Sequence, residues 1–359
     1  MSDSANSCEV AIIGGGLSGL TAANLLQAAG VDFRVLEASS QLGGRIASLR
    51  NEQSGEAIGD LGPTWVWPPY QSSVRHWLDR MKLKTFPQYE QGDALLDVEA
   101  NAPPTRQFLP GQHGMARIAG GPSAFIDAHI AAIEAERVLL GYAVCKISNS
   151  NGSFRIDCSN NKSVVAEKVI VAAPLRIIAE HIDWSDLLDD QTISIMRDAP
   201  TWMATQAKVT VMYDQPFWRE KGLSGRIASR LGPMVEIHDH CGENGLPAAL
   251  FGFVGWPPDV RQQQDTRSAI IDQLVRCFGD EAAMFNQLEI CDWSTRSTIC
   301  SRRDLETLPE HPRRLHDTMR MGFCGDRLFF AVAETASESP GLIDGALECG
   351  GRAARQVIG

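Results

Sequence analysis

The sequence predicts an α/β fold: a parallel, helix-flanked sheet in one domain, joined to a second, smaller domain of mixed sheet plus helix. Three observations carry that prediction. The first lies near the start of the chain, where Val10-Ala11-Ile12-Ile13 reads as a buried strand running into Gly14-Gly15-Gly16-Leu17-Ser18-Gly19. A helical stretch over 18–29 follows, and a second strand, Phe33-Arg34-Val35-Leu36, delivers Glu37. The second is a strand–loop–helix unit at the other end, from a strand over 327–334 through Gly341 into a helix over 342–358. The third is a change of character between 183 and 290, where strand patterns at 206–213, 226–229, 235–239 and 248–254 precede an amphipathic helix over 266–278.

Each part of the first unit has a separate task. Gly14, Gly16 and Gly19 form a GxGxxG turn, which lets the backbone bend sharply and approach a pyrophosphate. The helix opening at Leu17 and Ser18 offers free N–H groups and the positive end of its dipole to an anion. Glu37 stands 18 residues beyond Gly19, where a carboxylate can accept both hydroxyls of an adenosine ribose. An acid there disfavours a 2′-phosphate, which calls for arginine. Glycine-rich turns arise by chance in loops; the strand before, the helix after and the acid on the next strand make this one a Rossmann-type dinucleotide site.

The remaining elements follow in order. Trp67-Pro68-Pro69 breaks the chain before a helix over 72–81, and residues 86–117 read as loops and short strands. Gly120-Gly121-Pro122 precedes a helix over 123–135, and strands follow at 138–140 and 143–147. Segments 154–158 and 164–166 pair as a hairpin around Asn160-Asn161, and 168–174 is a buried strand ending at Pro174. A strand over 288–293 returns the chain toward the first domain. The division expected is a discontinuous dinucleotide domain of 1–69, 118–182 and 291–359, and a substrate domain of 70–117 and 183–290.

Composition removes several function classes. With 33 basic and 44 acidic residues the net charge is −11, which disfavours nucleic acid or an anionic membrane as partner. The nine cysteines are scattered, form no CxxC, and make no zinc spacing with histidine. They read as reduced thiols of a cytoplasmic protein. The first residues lack a basic and then apolar signal, and no apolar run approaches the ~20 residues of a membrane span. A soluble protein is expected.

From Leu36 to Ile46 the chain reads Leu-Glu-Ala-Ser-Ser-Gln-Leu-Gly-Gly-Arg-Ile, and this segment resembles the flavin-containing amine oxidase family. The resemblance implies that Glu37 and Ala38 lie at the adenosine and that Gly43, Gly44 and Arg45 lie near the pyrophosphate of FAD. Asp60-Leu61-Gly62-Pro63-Thr64-Trp65 resembles the family's segment beside the flavin ring, with Pro63 in place of the usual glycine. Val144 matches the residue that presents its backbone to the adenine. Glu334 to Ala346, including Gly341, Leu342 and Ile343, resembles the strand–loop–helix that closes the flavin site. There the Ile343 N–H would meet the pyrimidine end, which gains negative charge on reduction. Lys208, on a strand that precedes Phe217-Trp218, is similar to the family's lysine that holds a water at the flavin N5. Strand alternation puts Lys208, Thr210 and Met212 on one face. A strand lysine without that context is ordinarily solvent-exposed.

Three departures bear on the substrate. Trp293 precedes Ser294-Thr295-Arg296-Ser297-Thr298-Ile299-Cys300, which lacks the glycines and tyrosine around a covalent flavin cysteine, so the FAD is expected to be non-covalent. The paired tyrosines of the amine-binding cage are missing, and Leu342 stands where one belongs. Trp65, Trp67, Trp256 and Trp293 are alternative walls or plain core. Only about fifty residues separate Trp67 from Gly120, so the cavity is expected to be more open or to be completed by a homo-oligomeric partner.

The resemblance implies an FAD-dependent oxidoreductase that oxidises a C–N bond of an amine or amino acid by hydride transfer to N5. Imine hydrolysis would follow, with reoxidation by oxygen or another acceptor. Two alternatives stay open: a desaturase-like flavoprotein acting on C–C bonds, and a non-catalytic FAD-binding sensor or partner protein. A monooxygenase using NADPH is disfavoured, because no second GxGxxG follows a strand in mid-chain.

Overall fold

The computed structural model describes residues 7–185 and 187–359. Two large sheets organise it, one of eight strands and one of seven. The parallel part of the first runs in the spatial order Val138–Leu140, Phe33–Glu37, Ser7–Ile13, Ser163–Val171, Leu328–Phe330. Strand order therefore reverses on either side of Ser7–Ile13, which makes the C-terminal ends of these strands the crevice where open α/β sheets bind ligands. Apolar residues on both faces drive the assembly: Val10, Ile12, Val35 and Ile170 pack with helix Leu17–Ala28, while Ala11, Ile13, Val169 and Val171 pack on the opposite side.

The segments 164–166 and 168–174 are one continuous strand, Ser163–Val171. Its first half pairs antiparallel with Ser153–Cys158, and its second half pairs parallel with Leu328–Phe330. The Glu167-Lys168 step looks like a boundary because it is polar: Glu167 is exposed, and Lys168 Nζ donates to the Val357 carbonyl (2.7 Å). The helix expected over 123–135 stops at Ala131, and a 3₁₀ turn, Ala135–Arg137, leads into the next strand.

The second sheet runs Gln287–Asp292, Ala207–Tyr213, Ala248–Val254, Met234–Asp239, Leu223–Ser229, Asp93–Asp97, Thr105–Gln107. Strand Gln287–Asp292 pairs with Ala207–Tyr213 inside this sheet, and the return to the first sheet comes only after it. One face packs on helix Thr266–Phe278 and on the fully buried Trp218. The other face, carrying Lys208, Thr210, Met212, Phe251 and Phe253, is turned to the first unit. Among the described residues no helix is long and apolar enough to cross a membrane. No group of three or more His, Cys, Asp or Glu among them is placed to hold a metal ion.

Candidate active site

A cavity of about 1360 Å³ opens at the reversal point. Ile13, Leu36, Leu140, Ala172 and Val332, from the ends of the parallel strands, line it. Ordinary small-ligand pockets hold about 300–1,000 Å³, so this one has room for a large cofactor and a substrate together. At one end are Tyr142, Val144 and Ser159; at the other are Lys208, Phe253 and Trp65.

The structure brings together on this wall Gly14, Gly16, Leu17, Ser18, Glu37, Ala38, Gly43, Gly44, Arg45, Pro63, Thr64, Trp65, Val144, Lys208, Trp293, Gly341, Leu342 and Ile343. Gly19, Gly62 and Glu334 lie behind it. A Cβ on Gly19 would stand 2.0 Å from the Gly14 carbonyl oxygen, so this glycine serves the tight turn. Gly14 has φ +104°, a backbone conformation in which glycine is the natural residue.

Helix Leu17–Ala28 begins at Gly16 with no side-chain cap and no acid in its first turn. Its first N–H groups are therefore free for an anion. The last helix, Ile343–Ile358, also lacks a side-chain cap and presents Leu342, Ile343 and Ala346 to the cavity. Asp344 in its first turn is turned away and accepts the Val74 N–H at 2.9 Å. Glu37 is buried; one carboxylate oxygen accepts the Gly15 N–H (2.7 Å), and the other accepts the Ser39 N–H (2.9 Å) and hydroxyl (2.8 Å). Arg45 projects along the wall, and Glu334 holds its guanidinium in place by two bonds of 2.6 and 2.9 Å.

At the far end, three successive carbonyls of the segment beside Trp65 are fixed by the second sheet and its exit turn. Thr210 Oγ1 donates to the Asp60 oxygen (2.6 Å), Trp293 Nε1 to Leu61 (2.9 Å) and Lys208 Nζ to Gly62 (2.6 Å). Lys208 is buried on the cavity wall, 5.5 Å from the centre of the Phe253 ring. Burial pulls its ammonium down to about 8, partly offset by Asp60. Asp60 is buried too, and burial pushes its carboxyl up to about 7 against the pull of Arg117 and Lys208.

Of the tryptophans proposed as walls, Trp65, Trp67 and Trp293 line the cavity, joined by Trp202. Trp256 packs instead against the core of the second sheet. Of the four tyrosines in the chain, only Tyr142 reaches the cavity, at the end away from Lys208. Cys300 is buried off the wall, its thiol pushed up to about 12 by desolvation. Sequence reasoning misses Trp202, Phe253, Arg117, His240 and the Asp60 side chain. No local motif marks the first four; Asp60 sits within a motif segment, and only its burial sets it apart.

These residues fit FAD. The bare glycine backbone and the open helix start suit a pyrophosphate, Glu37 suits the ribose, and the second open helix suits a ring that becomes anionic. The sequence profile of the family "Flavin containing amine oxidoreductase" matches residues 17–110 and 94–358. Among similar characterised proteins, a probable flavin-containing monoamine oxidase A of Dictyostelium discoideum is 21% identical, with 97% of each chain covered. Amine oxidase [flavin-containing] B of Homo sapiens is also 21% identical, over 98% of this chain and 86% of its own length. Putrescine oxidase, solved with putrescine bound, superposes with a TM-score of 0.78 at 20% identity, covering 98% of this chain and 99% of that one. Cyclohexylamine oxidase from Brevibacterium oxydans gives 0.77 at 17% identity, with 98% of each chain covered. A profile that spans nearly the whole chain, on a fold that presents a dinucleotide cleft, makes this protein an FAD-dependent enzyme of the flavin-containing amine oxidoreductase family.

Proposed function

We propose that the enzyme oxidises the C–N bond of an amine, with the substrate held between the flavin ring and the wall formed by Trp65, Trp67 and Phe253. The observation that carries this reading is Lys208: a buried amine on the cavity wall, fixed through the Gly62 carbonyl at 2.6 Å. When bound, FAD supplies the acceptor for two electrons and a proton. The open start of helix Ile343–Ile358 stabilises negative charge at the ring. Lys208 holds a water at the reacting edge. Arg45, positioned by Glu334, faces the pyrophosphate. The cofactor is held without a covalent bond, since the one cysteine in the expected segment, Cys300, is turned into the core.

The wall at the reacting end is indole and phenyl rather than phenol. Such a wall favours an apolar amine entering neutral, with the ring faces adding about 0.5–2 kcal/mol of attraction for residual positive charge. Putrescine and cyclohexylamine, named for the similar solved structures, and the amino acids implied by an L-amino acid dehydrogenase 24% identical over 69% of this chain define the classes to screen. The test is anaerobic mixing of the yellow protein with aliphatic amines, arylalkylamines, diamines and L-amino acids. Bleaching by one class supports the reading and names the substrate. No bleaching by any amine rejects it in favour of C–C oxidation or a non-catalytic role. Reoxidation by oxygen against a dye acceptor then decides the second half-reaction.

A further inference from the structure

Phe217 and Trp218, which follow the Lys208 strand, do not line the main cavity; Trp218 is wholly buried in the core of the second sheet. A series of hydrogen bonds joins Trp218 to the cavity wall. Trp218 Nε1 donates to one carboxylate oxygen of Asp239 (2.9 Å), and Arg219 closes on both oxygens of that carboxylate (2.7 and 2.9 Å). The Asp239 backbone carbonyl accepts from Gln88 Nε2 (2.7 Å), and Gln88 Oε1 accepts from Trp65 Nε1 (2.8 Å). Trp65 lines the cavity at the reacting end, as do Lys208 and Phe253.

Gln88 is the joint of this series. It is buried, and its partners settle which way its amide faces. Nε2 donates to the Tyr89 carbonyl (3.1 Å) as well as to Asp239, so Oε1 is the atom turned to the indole. The other contacts of the Trp65 ring are with neighbouring rings. His238 meets it edge to face with centres 4.7 Å apart, Phe251 does so at 5.8 Å, and Phe253 lies tilted at 6.1 Å. His238 is itself held by Glu236 at 2.8 Å. Ring packing restrains where the indole lies; the N–H bond fixes which way round it lies, since one edge alone carries a donor. The Lys208 ammonium stands 5.5 Å from the Phe253 ring centre, so a turn of Trp65 against Phe253 alters the space beside Lys208.

We propose that Gln88 is a specificity-determining positioning residue: through its bond to the indole N–H it fixes the Trp65 ring, and with it the shape of the substrate wall, against the Asp239–Trp218 core of the second sheet. The inference deepens the amine-oxidation reading above and rests on it, since that reading places the substrate against Trp65, Trp67 and Phe253. Gln88 does not line the cavity and acts only through Trp65. The Phe217-Trp218 pair thereby gains a task, because Trp218 anchors the residue whose carbonyl holds Gln88. The consequence is selective. A bulky amine, cycloalkyl or arylalkyl, fills the space up to the indole and depends on how the ring is set; a short aliphatic amine depends on it less. A misfit of about one methylene in an apolar pocket changes kcat/KM by roughly 10- to 200-fold.

Two measurements test this. Gln88→Met keeps the length of the side chain and removes its acceptor and its donors; Gln88→Asn, which keeps the amide and shortens its reach, serves if the first variant folds poorly. In either, kcat/KM for a bulky amine that bleaches the flavin should fall about 10-fold more than for a short aliphatic amine, and the loss should lie in KM rather than in the rate of bleaching. In a Trp65→Phe background, which has no indole N–H, the same substitution should leave the ratio between the two amines nearly unchanged, so the two effects are not additive. An equal loss for both amines, or additive effects, marks a merely structural role and overturns the proposal. The second measurement needs no amine. In proton–nitrogen correlation spectra of protein labelled at the indole nitrogens, the Trp65 resonance is the one missing from Trp65→Phe, and it should shift and broaden in the Gln88 variant. An unmoved Trp65 resonance in a folded variant also overturns the proposal. If no amine bleaches the flavin but the resonance moves, the substrate reading fails and the hold of Gln88 on Trp65 stands.

Discussion

Arg45 and Glu334, 289 residues apart in the chain, meet in a two-bond ion pair of 2.6 and 2.9 Å at the edge of the main cavity. Glu334 is 2% exposed and Arg45 22%, so the arginine alone presents charge to the cofactor space. The Trp202 backbone completes the arrangement, its N–H donating to Glu334 (3.3 Å) and its carbonyl accepting from Arg45 (3.3 Å). The two cofactor signatures at opposite ends of the chain are thus one mechanical unit.

Replacing Glu334 with glutamine should keep the fold and loosen the arginine. Losing one charge-assisted bond costs about 1–3 kcal/mol, so the FAD Kd should rise roughly 10- to 100-fold. Titration of apoprotein with FAD, followed by flavin fluorescence, measures it; an unchanged Kd removes the pair from cofactor binding.

Lys208→Met should bind FAD and remain yellow. The lost ammonium frees the Gly62 carbonyl and removes the group proposed to hold water at the reacting edge, so flavin reduction or reoxidation should slow about 10-fold or more. Stopped-flow traces of both half-reactions decide this. Unchanged kinetics exclude Lys208 from the mechanism.

The pH dependence of stability should carry two opposed contributions. Asp60 moves from 3.8 to about 7 on folding, so its native carboxyl keeps a proton that the unfolded chain gives up. That contribution is full below pH 3.8 and is lost as pH rises through about 7. His129, buried against Trp77 with its ring centre 4.9 Å away, falls from 6.5 to about 3 because burial disfavours its charged form. Its contribution is present above pH 6.5 and lost as pH falls toward 3. Relative to wild type, Asp60→Asn should therefore gain stability as pH climbs from 4 to 7, and His129→Phe should lose it. Urea midpoints across that range give both slopes; parallel curves for all three proteins contradict the burial argument.

Gly350→Ala should separate the last helix from the first. A Cβ there would stand 2.2 Å from the Ser18 carbonyl oxygen and 2.7 Å from Thr21 Cβ, both in helix Leu17–Ala28. Overpacking of this kind costs about 1–3 kcal/mol. Because both helices open on the cavity, FAD affinity should fall together with the unfolding midpoint. A stable variant with normal affinity would show that the helices slide freely.

Much of this protein is legible in its residues alone. Gly14 to Glu37 is a local device: turn, helix start and acid are tied by a few covalent links, so spacing reveals the site. Lys208 is legible only through resemblance to a family, because an isolated strand lysine carries no mark of burial. The second sheet is visible strand by strand, but not that Asp93–Asp97 and Thr105–Gln107 extend it, since short strands depend on long-range pairing for their identity.

The sequence by itself determined the fold class and the unit from Gly14 to Glu37, because each rests on contacts within about thirty residues or on periodicity along one element. Only the tertiary structure decided what surrounds the reacting end. Thr210, Trp293 and Lys208 reach across from the second sheet and its exit turn to three consecutive carbonyls, and Asp60, Arg117 and His240 converge from distant segments around a second cavity. Those groups acquire their chemistry from burial in one another's fields, and burial is a property of the folded chain rather than of any stretch of it.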